Sequence, residues 1–184
     1  MSANGLETFD RTIHETNQWL RIVMVELKTA SRHQAYVALR ASLHALRDRI
    51  GPELAIPFAA HLPILLRGVF YEGWQPLETP TRERRLDDFL AYIESILGPG
   101  SGLDPADAVR AGFAAIGWSV SSTEVLKLID VLRRNSETCG QITCLQGWRA
   151  ETARLTCLKA APALACETKI SSGWRPSCNG SRVP

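Results

Sequence analysis

Apolar residues recur every three or four positions through the first 135 residues, a spacing that places them on one face of an α-helix. The clearest apolar stripe lies over residues 32–50, at Tyr36, Leu39, Leu43, Leu46 and Ile50. Comparable stripes predict helices over residues 6–28, 53–70 and 82–97 and two more beginning near Asp104 and Ser121. No segment alternates with the period of two that is typical of a strand. The pattern therefore predicts an all-α helical bundle.

Proline and glycine set the expected helix boundaries. Gly51 follows the 32–50 stripe and should end that helix. Pro63 should kink or split the helix over 53–70, because proline removes a backbone donor and crowds the preceding turn. Asp104 precedes a proline and has the character of an N-terminal cap. The segment from Tyr71 to Thr81 contains one glycine and two prolines, and it predicts a linker.

The chain also matches itself at an offset of 70 residues. The segment Ala38-Leu39-Arg40-Ala41 falls on Ala108-Val109-Arg110-Ala111, and the helix stripes that follow also coincide. We predict two similar three-helix halves, residues 6–70 and 82–135, that pack on each other because neither can bury its apolar face alone. The alternative is that any two amphipathic helices match at some offset.

Composition changes near residue 135. The whole chain has 21 Lys and Arg against 19 Asp and Glu, a net charge of +2, but the counts are 15 and 16 up to Asn135 and 6 and 3 beyond it. The five cysteines, Cys139, Cys144, Cys157, Cys166 and Cys178, all lie in the second part. We therefore divide the chain into a helical domain, residues 1–135, and an irregular tail, residues 136–184.

The cysteine spacing in the tail does not favour a metal site. No pair has the two-residue gap of a zinc knuckle, and the four histidines lie far upstream, so we predict no metal. The odd number of cysteines argues against a set of disulfides. We expect free thiols on a poorly ordered tail that is non-homologous or arises from a shifted reading frame. Translation of the other reading frames of the gene tests the frameshift interpretation.

The sequence predicts a cytoplasmic protein. The N-terminal residues MSANGLETFD are acidic and lack the apolar core of a signal peptide. The longest uncharged run, Leu54 to Leu66, is 13 residues and is too short to span a bilayer, so we expect no membrane partner.

Candidate catalytic chemistry is weak. His44 and His61 lie in or beside apolar stripes, and Ser42 has no nucleophile-elbow motif around it. No glycine-rich loop has the context of a phosphate site. We therefore predict no catalytic residue and no cofactor, and we lean against an enzyme without excluding one.

A short basic run, Arg82, Arg84 and Arg85, is the only candidate for phosphate contacts. Acidic residues interleave with it, and the domain as a whole has a net charge of −1. Salt bridges on a helix surface account for the run better than nucleic-acid binding does, so we do not expect nucleic acid as a partner.

The segment Arg67 to Trp74 (RGVFYEGW) is the candidate interaction patch. Phe70, Tyr71 and Trp74 place three aromatic rings within five residues, with Arg67 and Glu72 at the rim. One interpretation is a hydrophobic plug that fixes the linker to the core. The other is an exposed aromatic patch suited to a protein partner.

Several of these segments resemble a bacterial family known as domain of unknown function 2267. The resemblance covers residues 6–132 and rests on FDRTIHETNQWL, AYVALRASLHALRDRI, LDPADAVRAGFAAI and, most specifically, HLPILLRGVFYEGWQP followed by TPTRER. It implies a helical domain of two similar halves, no established activity and no catalytic residues. The family pattern continues the last helix with a second segment like HLPILLRG, and this chain departs from it after Asn135.

The sequence favours a non-enzymatic protein-interaction or regulatory module. The first alternative is a ligand-binding or enzymatic domain with a pocket between the halves, using Arg67, His61 or Tyr71. The second is a nucleic-acid binder. These three hypotheses place the functional surface in different parts of the fold.

Overall fold

The computed structural model describes residues 6–81 and 85–135. They form α1 (Glu7–Glu26), α2 (Arg32–Ile50), α3 (Pro52–Ala59), α4 (Ile64–Tyr71), a short 3-10 turn (Pro76–Glu78), α5 (Leu86–Leu97), α6 (Pro105–Ser119) and α7 (Ser122–Asn135). No strand occurs among them, so the all-α prediction is confirmed. The predicted tail over 136–184, with its cysteines, lies outside the described residues.

Helix α2 forms the centre of the bundle. Every residue from Ala41 to Ile50 is buried, and α2 contacts each of the other six helices. A helix surrounded on all sides buries its polar residues together with its apolar ones. Those polar residues then need partners inside the protein, because a buried polar group without a hydrogen bond is destabilising.

Helices α2 and α6 cross in close contact. The Ser42 hydroxyl lies 2.8 Å from the carbonyl oxygen of Ala38 and 3.1 Å from that of Ala108 on α6. A Cβ atom added to Gly112 would overlap the Ser42 side chain. The two helices therefore meet through small residues, and the position of Gly112 accepts no side chain without movement of one helix.

The structure agrees with the boundaries predicted at Gly51, Pro63 and Asp104, whereas the helix predicted over 82–97 begins at Leu86. Gly51 ends α2 with a φ of 73°, a value that glycine adopts readily. The Asp104 side chain caps α6, accepting hydrogen bonds from the backbone N–H groups of Ala106 and Asp107 at 2.9 and 3.0 Å. The helix predicted over 53–70 is divided at Pro63 into α3 and α4.

Helix α1 buries a different face from the one that its sequence predicts. The predicted stripe consists of Phe9, Ile13, Leu20, Val23 and Leu27, but Phe9 is 58% exposed and Ile13 is 41% exposed. The buried residues are Thr12, Trp19 and Val23. At 100° per residue this face is rotated by roughly 60° from the predicted one. Trp19 has the largest apolar side chain in α1, and burial of its indole favours the rotated face.

None of the described helices has both the length and the apolar composition needed to cross a bilayer. The two longest, α1 and α2, each carry several charged residues.

Candidate functional site

A buried ion pair lies beneath the start of the linker. Arg47 and Asp48 are 4% and 7% exposed, near the end of α2. The Arg47 guanidinium donates from Nε and Nη2 to the Asp48 carboxylate, at 2.7 and 3.1 Å. Its Nη1 donates to the carbonyl oxygens of Phe70 and Glu72, at 2.8 and 2.9 Å. Arg47 therefore fastens the end of α4 to the central helix.

Asp48 fastens the other end of the linker. Its backbone carbonyl accepts from the Thr81 N–H group at 2.8 Å, and its carboxylate accepts from the Tyr92 hydroxyl of α5 at 2.5 Å. The Pro80 ring packs over Gly51, 3.4 Å from where a Cβ atom would lie. The chain from residue 72 to residue 81 is thus held to α2 at both ends.

Sequence reasoning missed these two charged residues. They fall outside the apolar stripe of residues 32–50, and periodicity alone places them in solvent. Arg49, also outside the stripe, is 8% exposed and sits over the ring of Phe89 on α5, 4.2 Å from its centroid. The sequence does place the opposite charges of Arg47 and Asp48 side by side in a helix that is followed by a long linker. That adjacency indicates a buried ion pair only when the helix is known to lie at the centre of the bundle.

Arg67, one of the five predicted patch residues, caps α3. Its Nε donates to the carbonyl oxygen of Ala59 at 2.9 Å, and its Nη2 donates to those of Ala60 and Leu62 at 3.2 and 3.3 Å. The last carbonyls of a helix have no partner within that helix. Arg67 therefore stabilises the break between α3 and α4 that Pro63 imposes.

The predicted aromatic residues form a continuous series of ring contacts. Phe70 is fully buried, with its centroid 5.6 Å from that of Phe58 and 5.4 Å from that of Tyr71. Tyr71 stacks on Trp74 with centroids 5.5 Å apart and planes inclined by 24°. Both rings are half-buried, and the buried Nε1 of Trp74 has no hydrogen-bond partner within the described structure. Phe70 belongs to the core, and the stacked pair reaches the surface.

Glu72, the remaining patch residue, is exposed beside the stacked pair. It accepts a hydrogen bond from Arg40 Nε at 2.8 Å, and this interaction lowers the pKa of the Glu72 carboxyl. We call the exposed parts of Tyr71, Glu72 and Trp74 the linker surface. Its two rings and its carboxylate are fixed relative to the helices, because the Arg47 contacts hold the backbone on both sides of Tyr71.

Two of the candidate catalytic residues, His44 and Ser42, form hydrogen bonds with backbone carbonyl oxygens. His44 Nε2 lies 2.7 Å from the carbonyl oxygen of Val69, so that nitrogen carries the proton. Burial lowers the pKa of His44, and nearby Arg47 and Arg40 lower it further. Ser42 is buried in the α2–α6 crossing. Neither side chain opens onto solvent.

A cleft of about 570 Å³ lies between α1, the turn between α3 and α4, and the end of α6. Its lining includes the buried Trp19 and Leu62 and the exposed His61 and Trp118. Of the residues that the sequence suggested for a pocket, His61 lines this cleft, whereas Arg67 and Tyr71 are outside its lining.

The described part of the chain offers little support for a metal site or for a basic phosphate-binding surface. No group of three or more His, Cys, Asp or Glu residues there is placed to hold a metal ion. From the basic run, Arg85 is exposed with Nη2 3.7 Å from an Asp87 carboxylate oxygen, and Arg82 and Arg84 lie outside the described residues.

Comparison with known families places most of the helical residues in a described family. Residues 16–137 match the model of a family described as "Uncharacterized conserved protein (DUF2267)". The match covers more than half of the chain. A search of the curated proteins found no match.

Proposed function

Because the chain belongs to the DUF2267 family, whose description assigns no activity, we propose a function from the surface that its own fold presents. We propose that the protein is a non-enzymatic interaction or regulatory module of the bacterial cytoplasm. Its partner is a protein that binds the linker surface formed by Tyr71, Glu72 and Trp74.

The observation that carries this proposal is the stacked, half-buried pair of Tyr71 and Trp74 on an anchored linker. Aromatic residues are enriched at the centres of protein interfaces, where they contribute much of the binding free energy. A surface that is already ordered loses little conformational entropy on binding. The Arg47 and Asp48 contacts supply that order here.

The chemistry of the linker surface indicates the character of the partner. Glu72 keeps its charge, since its pKa is lowered, and a carboxylate can accept further hydrogen bonds beyond the one from Arg40. A partner that presents an apolar side chain next to a lysine or arginine complements both the rings and the carboxylate.

The roles of Ser42, His44 and Arg67 support a non-enzymatic module. Each of these side chains is bonded to backbone carbonyl oxygens and holds two segments of the fold together. Use of any of them as a nucleophile, base or substrate anchor would require those contacts to break.

The test is capture of a partner from a lysate of the native bacterium on the immobilised full chain, using Trp74→Ala and Glu72→Lys. The matched control is Val25→Ala on α1, which removes an apolar side chain that is 74% exposed at a different surface. We expect both linker-surface variants to lose a protein that the wild type and the control retain, with unchanged circular dichroism. Retention of every captured protein by both folded variants would overturn the proposal.

A second candidate function is ligand binding, and the cleft beside Trp19 and His61 favours it. Its volume falls in the range of small-molecule sites. The cleft is separate from the linker surface, so both functions are compatible with one fold.

We also propose that the domain arose by duplication of a three-helix unit. At the offset of 70, Ser42 corresponds to Gly112 and Ala38 to Ala108, and these residues meet at the α2–α6 crossing. A residue that contacts its own counterpart lies near a two-fold axis. The packing of α1 on α6 and of α5 on α2 supports the same symmetry.

A further inference from the structure

We propose that the cleft between α1, the α3–α4 turn and the end of α6 binds a small organic anion with a flat apolar portion. The proposal goes beyond the interaction function, because the cleft shares no residue with the linker surface.

The walls of the cleft come from three separate parts of the fold. Trp19 and Ile22 lie on α1, Leu62 lies between α3 and α4, and Trp118 lies at the end of α6. Trp19 and Leu62 are 4% and 3% exposed, so their positions are fixed by the core. Sites for small molecules combine such an apolar lining with a few polar groups, over about 300–1,000 Å³.

Trp118 supplies a surface for a flat ligand. It is 44% exposed, although every one of the residues that precede it from Ala111 to Gly117 is buried. An indole ring at the wall of a cleft can pack against another planar ring, with ring centroids about 4.5–7 Å apart.

The charge of the cleft favours an anion. Arg21 and His61 line it, and within the described part of the chain neither side chain makes a hydrogen bond or an ion pair. Glu15, the carboxylate in the lining, is already bound by Arg11 at 3.0 Å. Two donors therefore remain for a ligand carboxylate, and a guanidinium can hold one through two parallel hydrogen bonds.

The neighbouring charges do not reverse this balance. The hydrogen bond from Lys127, at 2.7 Å, lowers the pKa of Glu124, and nearby His61 also lowers it. Gln18, also in the lining, has its Nε2 within 2.9 Å of His14.

The experiment compares two probes of the same ring and opposite charge, indole-3-acetate and tryptamine, by ligand-observed NMR titration against the full chain at low salt. We expect indole-3-acetate to bind at concentrations below about 10 mM and tryptamine to bind at least about tenfold more weakly. Arg21→Gln should weaken indole-3-acetate by about tenfold, which corresponds to loss of one charge-assisted contact.

Two controls separate the cleft from general charge effects. Arg110→Gln removes an exposed cation on α6 that is outside the cleft lining and should leave binding unchanged. Trp118→Ala should weaken binding of indole-3-acetate and of neutral indole alike. Equal binding of the two probes, no effect of Arg21→Gln, or no binding up to about 10 mM would each overturn the proposal. Trp74→Ala should bind the probe normally, so the outcome is independent of the interaction function.

Discussion

Replacement of Arg47 by methionine tests the role of the buried ion pair. Methionine fills most of the volume of the arginine side chain but donates no hydrogen bonds. In the variant, the Asp48 carboxylate keeps the Tyr92 hydroxyl as a donor and loses two bonds from the guanidinium. The carbonyl oxygens of Phe70 and Glu72 lose the donor that they share.

The expected cost follows from the burial of both partners. Arg47 and Asp48 are 4% and 7% exposed, and removal of one member of a buried pair costs about 3–5 kcal/mol because it leaves an uncompensated charge. A domain of this size has a free energy of unfolding of about 5–15 kcal/mol. Arg47→Met should therefore remove a large fraction of the stability of the domain.

The matched control is Arg110→Met. Arg110 also pairs with an aspartate, Asp107 at 2.9 Å, but these side chains are 54% and 52% exposed. Exposed pairs contribute about 0–1 kcal/mol, so the control should stay close to the wild type. Addition of Asp48→Asn to Arg47→Met removes the unpaired charge and should recover part of the loss.

The assay is urea unfolding followed by circular dichroism, together with chymotrypsin cleavage under native conditions. Tyr71 and Trp74 are cleavage sites in and beside the linker, and they should become more susceptible in Arg47→Met than in the control. A loss below about 1 kcal/mol in Arg47→Met, or no recovery with Asp48→Asn, would refute the reasoning.

Four further substitutions test other parts of the fold. Gly112→Ala should destabilise the domain by about 1–3 kcal/mol in thermal or urea unfolding, because the new Cβ overlaps Ser42. Gly68→Ala, where nothing lies within 4 Å, should instead stabilise it by about 0.5–1 kcal/mol, and equal effects at the two glycines would contradict the close crossing. The pKa of His44 is lowered in the folded state, so stability should be complete above the ordinary histidine pKa of 6.5 and should fall as the pH drops below it. His44→Gln should flatten unfolding free energy against pH between about 7 and 5.5, and an unchanged slope would argue against this assignment. Asp104→Ala should cost about 1 kcal/mol, seen as an earlier urea midpoint, and no shift would mean that the cap contributes nothing.

The helices and their ends could be predicted from the sequence because the signals are local. The period of the apolar positions, Pro63, and the Asp104 cap depend only on residues within a turn or two of one another. The face of α1 could not be predicted in the same way. Phe9 and Trp19 compete for the core, and the outcome depends on the surfaces of α6 and α2 against which α1 packs.

The candidate site was predictable only in part. The aromatic segment near Trp74 was identified from its composition, and the structure assigns Phe70 to the core and Arg67 to the end of α3. Whether the exposed remainder binds a partner stays a prediction. The role of Arg47 could not be predicted, because its burial results from the helices that surround α2. No local sequence pattern shows that arrangement.

The contact between Ser42 and Gly112 disfavours one mode of association between two copies of the chain. If α2 of one molecule met α2 of another in the geometry of the α2–α6 crossing, Ser42 would face Ser42 and occupy space that admits only a hydrogen atom. The difference between Ser42 on α2 and Gly112 on α6 discriminates against pairing of two α2 helices in this geometry. The same difference favours the contact between Ser42 and Gly112 that α2 and α6 make within one chain.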